Sequence, residues 1–153
     1  MKSMIKKSIL IALIFSIFAC DVDSNCNTLN VDFVTFQTFT IKEGEEEQVQ
    51  VIFDSIVSPE SDSTFFQSDT LSIFELPLNP GSNQTSFYFY YGPFVDSIEF
   101  NYETRNAVDS PECGIDLEFV GMDTTFQTFD SLVIVNDTLK RTVNAPNIKL
   151  YIF

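Results

Sequence analysis

The chain contains no histidine and no tryptophan, only three cysteines and five glycines, and eight basic residues among 153. Without histidine there is no usual general base and no Ser-His-Asp arrangement. Two or three cysteines without histidine cannot complete a zinc site. No glycine-rich phosphate loop and no nucleophile elbow is present. A carboxylate pair of the glycosidase kind stays formally open, but Asp and Glu are so abundant that any one pair carries no information. The residues therefore read as a protein that is not an enzyme, with no catalytic residue, no cofactor and no resident metal. Scarce alanine and leucine argue against a helical bundle. Seventeen Phe and five Tyr, within an apolar fraction of 44%, suit pleated strands.

Charge is segregated along the chain. Lys2, Lys6 and Lys7 precede Cys20, and all twenty-two acidic residues follow it, opposed only by Lys42, Arg105, Lys140, Arg141 and Lys149. From Cys20 onward, five basic against twenty-two acidic residues leave a balance of −17. Such a surface repels nucleic acid and anionic headgroups, so no nucleic-acid partner is expected. Contact with a membrane has to come from something other than electrostatics.

The amino terminus supplies that something. The three lysines form a positive n-region, and residues 9–18 form an apolar run broken only by Ser16, too short to span a bilayer. This reads as a helical signal peptide over 1–19. The run ends in Ile17-Phe18-Ala19-Cys20, which resembles a lipobox, with a bulky Phe18 where a smaller residue is usual. Cys20 is then the lipidation site, its acyl chains, palmitate among them, anchoring the protein at about 0.8 kcal/mol per buried methylene. The expected location is the cell envelope, as an outer-membrane lipoprotein on the periplasmic face or the cell surface. Residues 20–28 form an acidic, polar tether, and 29–153 one domain. With Cys20 acylated, Cys26 and Cys113 remain in an oxidising compartment, and an even pair points to one disulfide. Closing so long a loop is worth about 4–5 kcal/mol in the chain-entropy model.

Beyond Cys26 the sequence falls into β-like runs at 29–41, 48–57, 70–76, 85–91, 97–104, 115–120, 125–135 and 148–153. Alternation is clearest where Ile98, Phe100 and Tyr102 interleave with Glu99 and Asn101, and where Ile115, Leu117 and Phe119 interleave with Asp116 and Glu118. The first run changes phase between Phe33 and Val34, which suggests a bulge or burial on both sides. Turn chemistry separates the runs at Glu43-Gly44, Pro77 to Gly81, Gly92-Pro93, Ser110-Pro111 and Asn144 to Pro146. The expected fold is all-β: a single antiparallel sandwich, immunoglobulin-like or transthyretin-like, of about seven to eight strands.

Three groups of residues could carry function. Seven tripeptides of the form Asp-Ser/Thr-apolar/Thr resemble a bacterial O-glycosylation acceptor, with Ser55, Ser63, Thr70, Ser97, Thr124, Ser131 and Thr138 as acceptors. The plainer reading is turn chemistry, since Asp and Ser/Thr side chains bond nearby backbone amides. The run Glu43-Gly44-Glu45-Glu46-Glu47 could gather a calcium ion through oxygen ligands, but more often such a run is a solvated hairpin tip. In Phe87-Tyr88-Phe89-Tyr90-Tyr91 the strand period sets Phe87, Phe89 and Tyr91 on one face. Tyr88 and Tyr90 then either face a ligand or are covered in a two-sided central strand, the latter being the favoured expectation.

Several segments together resemble an uncharacterised family of small lipoproteins of Bacteroidota, a domain of unknown function. They are Cys26 soon after the lipid cysteine, the Leu-Pro-Leu-Asn-Pro turn at 76–80, Asp-Ser-Ile-Glu-Phe-Asn-Tyr at 96–102, Ser-Pro-Glu-Cys-Gly at 110–114 and the aromatic end at 147–153. The resemblance implies a lipobox, a disulfide and a β-fold, and no known activity. The functional expectation is an envelope lipoprotein acting as a binding or assembly module, through an envelope protein or glycan partner. The alternative is a glycan- or calcium-binding surface module.

Overall fold

Aromatic and β-branched residues at alternate positions can bury one edge of a strand only if another layer covers it. The computed structural model shows that layer, and describes residues 32–108, 115–139 and 145–152. Among the described residues ten strands run in chain order: β1 (Phe33–Lys42), β2 (Glu45–Gln48), β3 (Val51–Ser58), β4 (Ser63–Leu71), β5 (Ile73–Pro77), β6 (Gln84–Tyr91), β7 (Phe94–Ala107), β8 (Asp116–Gln127), β9 (Ser131–Ile134) and β10 (Ile148–Tyr151). They form an all-β sandwich. The expected signal helix, the tether and all three cysteines lie outside the described residues.

One sheet is built around β1. Its first half pairs β5, its second half pairs β2 on the same side, and β10 lies on the other side, followed by β9. The hand-over from β5 to β2 falls at buried Thr38, whose amide donates to Ser72 O (3.0 Å) and whose hydroxyl donates to Val49 O (2.5 Å). The β1–β10 pair is parallel, a departure from the antiparallel expectation. The second sheet, β4-β3-β6-β7-β8, is antiparallel throughout.

Phenylalanines lock the two layers together. Phe36 of β1 stacks on Phe74 of β5 at 5.2 Å, and meets Phe87 (6.2 Å), Phe89 (6.0 Å) and Phe100 (6.1 Å) of the opposite sheet. All five are buried. Offset and edge-on rings at these separations add about 0.5–1.5 kcal/mol per pair beyond the area they remove from water.

Ten strands replace the expected seven or eight because the strand breaks have tertiary causes. The run 70–76 is a corner at Ser72, where the chain leaves one sheet for the other. The run 48–57 divides where β2 stops pairing β1 and β3 begins in the other sheet. Runs 115–120 and the start of 125–135 join into the single strand β8 through Gly121, at φ +64°. Strand β4 went unread because its period is broken. The register shifts between Ile56 and Val57 so that Phe65 is the extra residue, and both Phe65 and Phe66 reach the core, against Phe87 and Phe74. The expected bulge or two-sided burial in the first run is corrected. The paired residues of β1 keep one register, with Val34, Phe36 and Thr38 inward and Phe33 45% exposed.

Candidate functional site

The hairpin that presents the tyrosines is set by its turn. Gly92, at φ +54°, and Pro93 occupy the two turn positions, a glycine-first arrangement whose twist suits a two-residue loop. That loop fixes Tyr91 opposite Phe94, Tyr90 opposite Val95 and Tyr88 opposite Ser97. Phe87 and Phe89 are fully buried, whereas Tyr88 and Tyr90 are each 38% exposed. The favoured expectation of burial on both faces is therefore corrected: among the described residues only one layer packs on β6, and the tyrosines stand on the sheet's outer face.

Cross-strand pairing assembles the surroundings of that pair. Val57 lies opposite Tyr88 and Ser55 opposite Tyr90 on β3, and Val95, 53% exposed, flanks Tyr90 on β7. One strand further, Phe126 is opposite outward Glu99 and 55% exposed. A register shift in β8 moves Phe126 to this face, and the neighbouring Thr125 hydroxyl donates to the Glu99 carboxylate at 2.6 Å. Residue reading alone missed Val95 and Phe126, although the two-residue Gly-Pro loop would have placed Val95. Charge on these five strands is one-sided. Their single basic residue, Arg105, is engaged by Glu103 at 2.9 Å, while Asp54, Asp69, Asp96 and Glu99 are all acidic.

The acidic run takes a different form from a cation cage. Glu43 (φ +56°) and Gly44 (φ +88°) make the turn of the β1–β2 hairpin. Glu46 faces β10, where it accepts from the Lys149 ammonium (2.5 Å) and the Tyr151 hydroxyl (2.5 Å), with Lys149 also 4.8 Å above the Phe39 ring. Hydrogen bonds from Lys149 and then Tyr151 hold the Glu46 carboxyl below its usual range, and both partners are pushed up in return. No group of three or more acidic or sulfur side chains is placed to share a metal ion among the described residues.

The seven acceptor positions do not share one face. Ser63 and Thr70 are exposed on β4; Ser55, Ser97, Thr124 and Ser131 are half-buried in β3, β7, β8 and β9; Thr138 is half-buried between β9 and β10. At two of them the turn chemistry is visible. Asp123 Oδ1 accepts from the Thr124 amide (2.8 Å), and Asn136 Oδ1 accepts from the Thr138 amide (3.2 Å).

At the end of the sandwich where β1 begins, buried polar groups are fully linked. Asp32 O accepts from the Leu78 amide, the Asn79 amide donates to Thr85 Oγ1 (2.9 Å) and Tyr102 Oη (3.1 Å), and Thr85 and Tyr102 share a 2.6 Å bond. Burial pushes the Tyr102 hydroxyl above its ordinary value, opposed by its bonds to Thr85 and Asn79. At the opposite end Tyr91 donates to Asp96, and burial, with the Asp96 carboxylate, raises Tyr91 strongly.

A model of a family of unknown function, DUF6452, matches residues 54–152. The chain belongs to that family. The part matched begins inside β3 and runs through β10, so it holds Tyr88, Tyr90, Val95 and Phe126, and leaves out β1, β2, Cys20 and Cys26. Of the segments read as family-like, the 76–80 turn, the 96–102 strand and the 110–114 cysteine segment fall within the DUF6452 match, and Cys26 falls before it. Comparison with curated proteins and with solved structures gives no match.

Proposed function

We propose that this DUF6452 protein is a non-enzymatic lipoprotein of the cell envelope, and that its sandwich binds a partner through the outer face of the five-stranded sheet. The observation that carries the reading is the uncovered group of Tyr88, Tyr90, Val95 and Phe126, contributed by three neighbouring strands. Tyrosine is a residue of binding hot spots, because it offers a large rigid ring at little entropic cost and a hydroxyl that stays wet.

The anchor rests on the n-region, the short apolar run and Ala19-Cys20. The disulfide between Cys26 and Cys113 rests on the even pair of thiols that remains in an oxidising compartment once Cys20 is acylated. Of the two partner classes, a neutral glycan is favoured by composition: aromatic faces with carboxylates and almost no cations suit the C–H faces and hydroxyl donors of sugars. An O-linked glycan on the chain itself finds its best access at Ser63 and Thr70.

A photo-crosslinking residue at Tyr90, with a control at Ile41 on the other sheet, tests the face in native membranes. A discrete adduct from position 90 alone is expected; equal labelling from both positions, or none, sinks the reading. Intact mass of the membrane-extracted protein, before and after reduction, reads the acyl chains, the bridge and any sugar. A rise in melting temperature with envelope oligosaccharide, lost in Tyr88→Ala, assigns the partner as a glycan.

A further inference from the structure

At the β1 entry end, the β3–β4 turn and the β5–β6 loop line a half-open pocket of about 300 Å³. That volume is at the small end of ligand sites, which run from roughly 300 Å³ upward. Phe65, Leu78 and Pro80 supply apolar walls, and Glu60 is the one charged residue lining it. The Glu60 carboxylate is held in place: Oε2 accepts from the Ser58 hydroxyl (2.6 Å) and from the Ser86 amide (3.3 Å), twenty-six residues away. Partial burial raises this carboxyl, but the bonds from Ser58 and Ser86 outweigh it and the net displacement is downward, so the group is anionic at neutral pH.

The hydroxyls of the cavity decide what kind of ligand it can take. Each serine hydroxyl has one hydrogen to give. Ser58 gives its own to Glu60, Ser61 to Ser58 O (3.4 Å) and Ser63 to Ser61 O (3.0 Å). All three are left as acceptors, beside a carboxylate that can only accept. A group that donates, carries positive charge and has an apolar stem matches the carboxylate, the serine oxygens and the apolar walls together. We infer that this cavity binds a primary alkylammonium group, its nitrogen on Glu60 and its methylenes against Phe65, Leu78 and Pro80. The ammonium belongs either to a free amine or to a lysine side chain of a partner protein.

Calorimetric titration of the full-length chain in detergent tests this, with pentylammonium chloride, Nα-acetyl-lysine methylamide and uncharged pentan-1-ol as probes. Pentylammonium is expected to bind at least tenfold more tightly than pentan-1-ol, and Glu60→Gln to lose tenfold or more. If Glu60→Gln does not fold, Glu60→Asp, which keeps the charge but withdraws it by one methylene, is expected to weaken pentylammonium severalfold. Binding of the lysine derivative as well assigns a side chain as the source; its failure beside retained pentylammonium assigns a free amine. Equal affinity for pentan-1-ol, no binding of pentylammonium, or undiminished binding by the folded Glu60 variant overturns the assignment. Because the tyrosine face is not involved, Tyr88→Ala is expected to leave this titration unchanged.

Discussion

The two faces of β6 are both aromatic and have opposite fates. Phe87 and Phe89 have no exposure and are surrounded by Phe36, Phe53, Phe74, Phe100 and Phe129, while Tyr88 and Tyr90, one residue out of phase, stand in solvent. The pleat alone separates these four rings, the two without a hydroxyl inward and the two with one outward, while Tyr91 at the strand end stays on the inner side with its hydroxyl on Asp96. An aromatic run is thus two sites in one strand, one for stability and one available for contact.

The largest test of that contrast is truncation on each side. Phe89→Ala is expected to cost about 3–5 kcal/mol in urea unfolding, and Tyr90→Ala about 0.5 kcal/mol or less. Comparable losses would mean that the outer face is covered and the contrast false. A smaller effect is expected from a tyrosine whose hydroxyl is buried. Tyr102→Phe removes three bonds to one hydroxyl but leaves the Asn79 amide on Thr85 Oγ1 and the Asn79 carbonyl on the Ser82 amide, at about 1 kcal/mol, with little change in the slope of the denaturant curve.

The smallest effect concerns the exposed Tyr151–Glu46–Lys149 group. Glu46 has its folded pKa below the ordinary 4.5. A depressed carboxylate contributes stability that is complete above the unfolded value and fades as pH falls through the folded one. Glu46→Gln should therefore leave the pH 7 midpoint almost unmoved and flatten the loss of stability below about pH 4.5. An unchanged acid limb in the variant would show the contact to be fully screened.

Much of this architecture is legible in residue order. Alternation at 98–102 identifies β7 and its buried face, and 115–119 identifies β8 and buried Phe119, although Ile115 lies before the strand and is 73% exposed; Gly92-Pro93 and Glu43-Gly44 mark tight hairpins whose loop length sets register. Strand β4 was illegible because its bulge turns two adjacent phenylalanines to the core, which no period-2 pattern anticipates. In the candidate face, Tyr88 and Tyr90 were visible as a pair but their exposure was not. Phe126 was hidden by the register shift of β8. The cavity at Glu60 had no sequence signal, since its carboxylate meets an amide twenty-six residues distant.

By itself the amino-acid sequence determined that this chain forms strands, that its surface is acidic, which residues share a side in strands without a bulge, and that its chemistry excludes a histidine-based site. Only the tertiary structure decided which of those sides is the inside. Alternation divides a strand's side chains into two sets of equal standing, and a set becomes core only when a second sheet covers it, as β1 covers β6 and β7 through Phe36 and β5 covers β3 through Phe74.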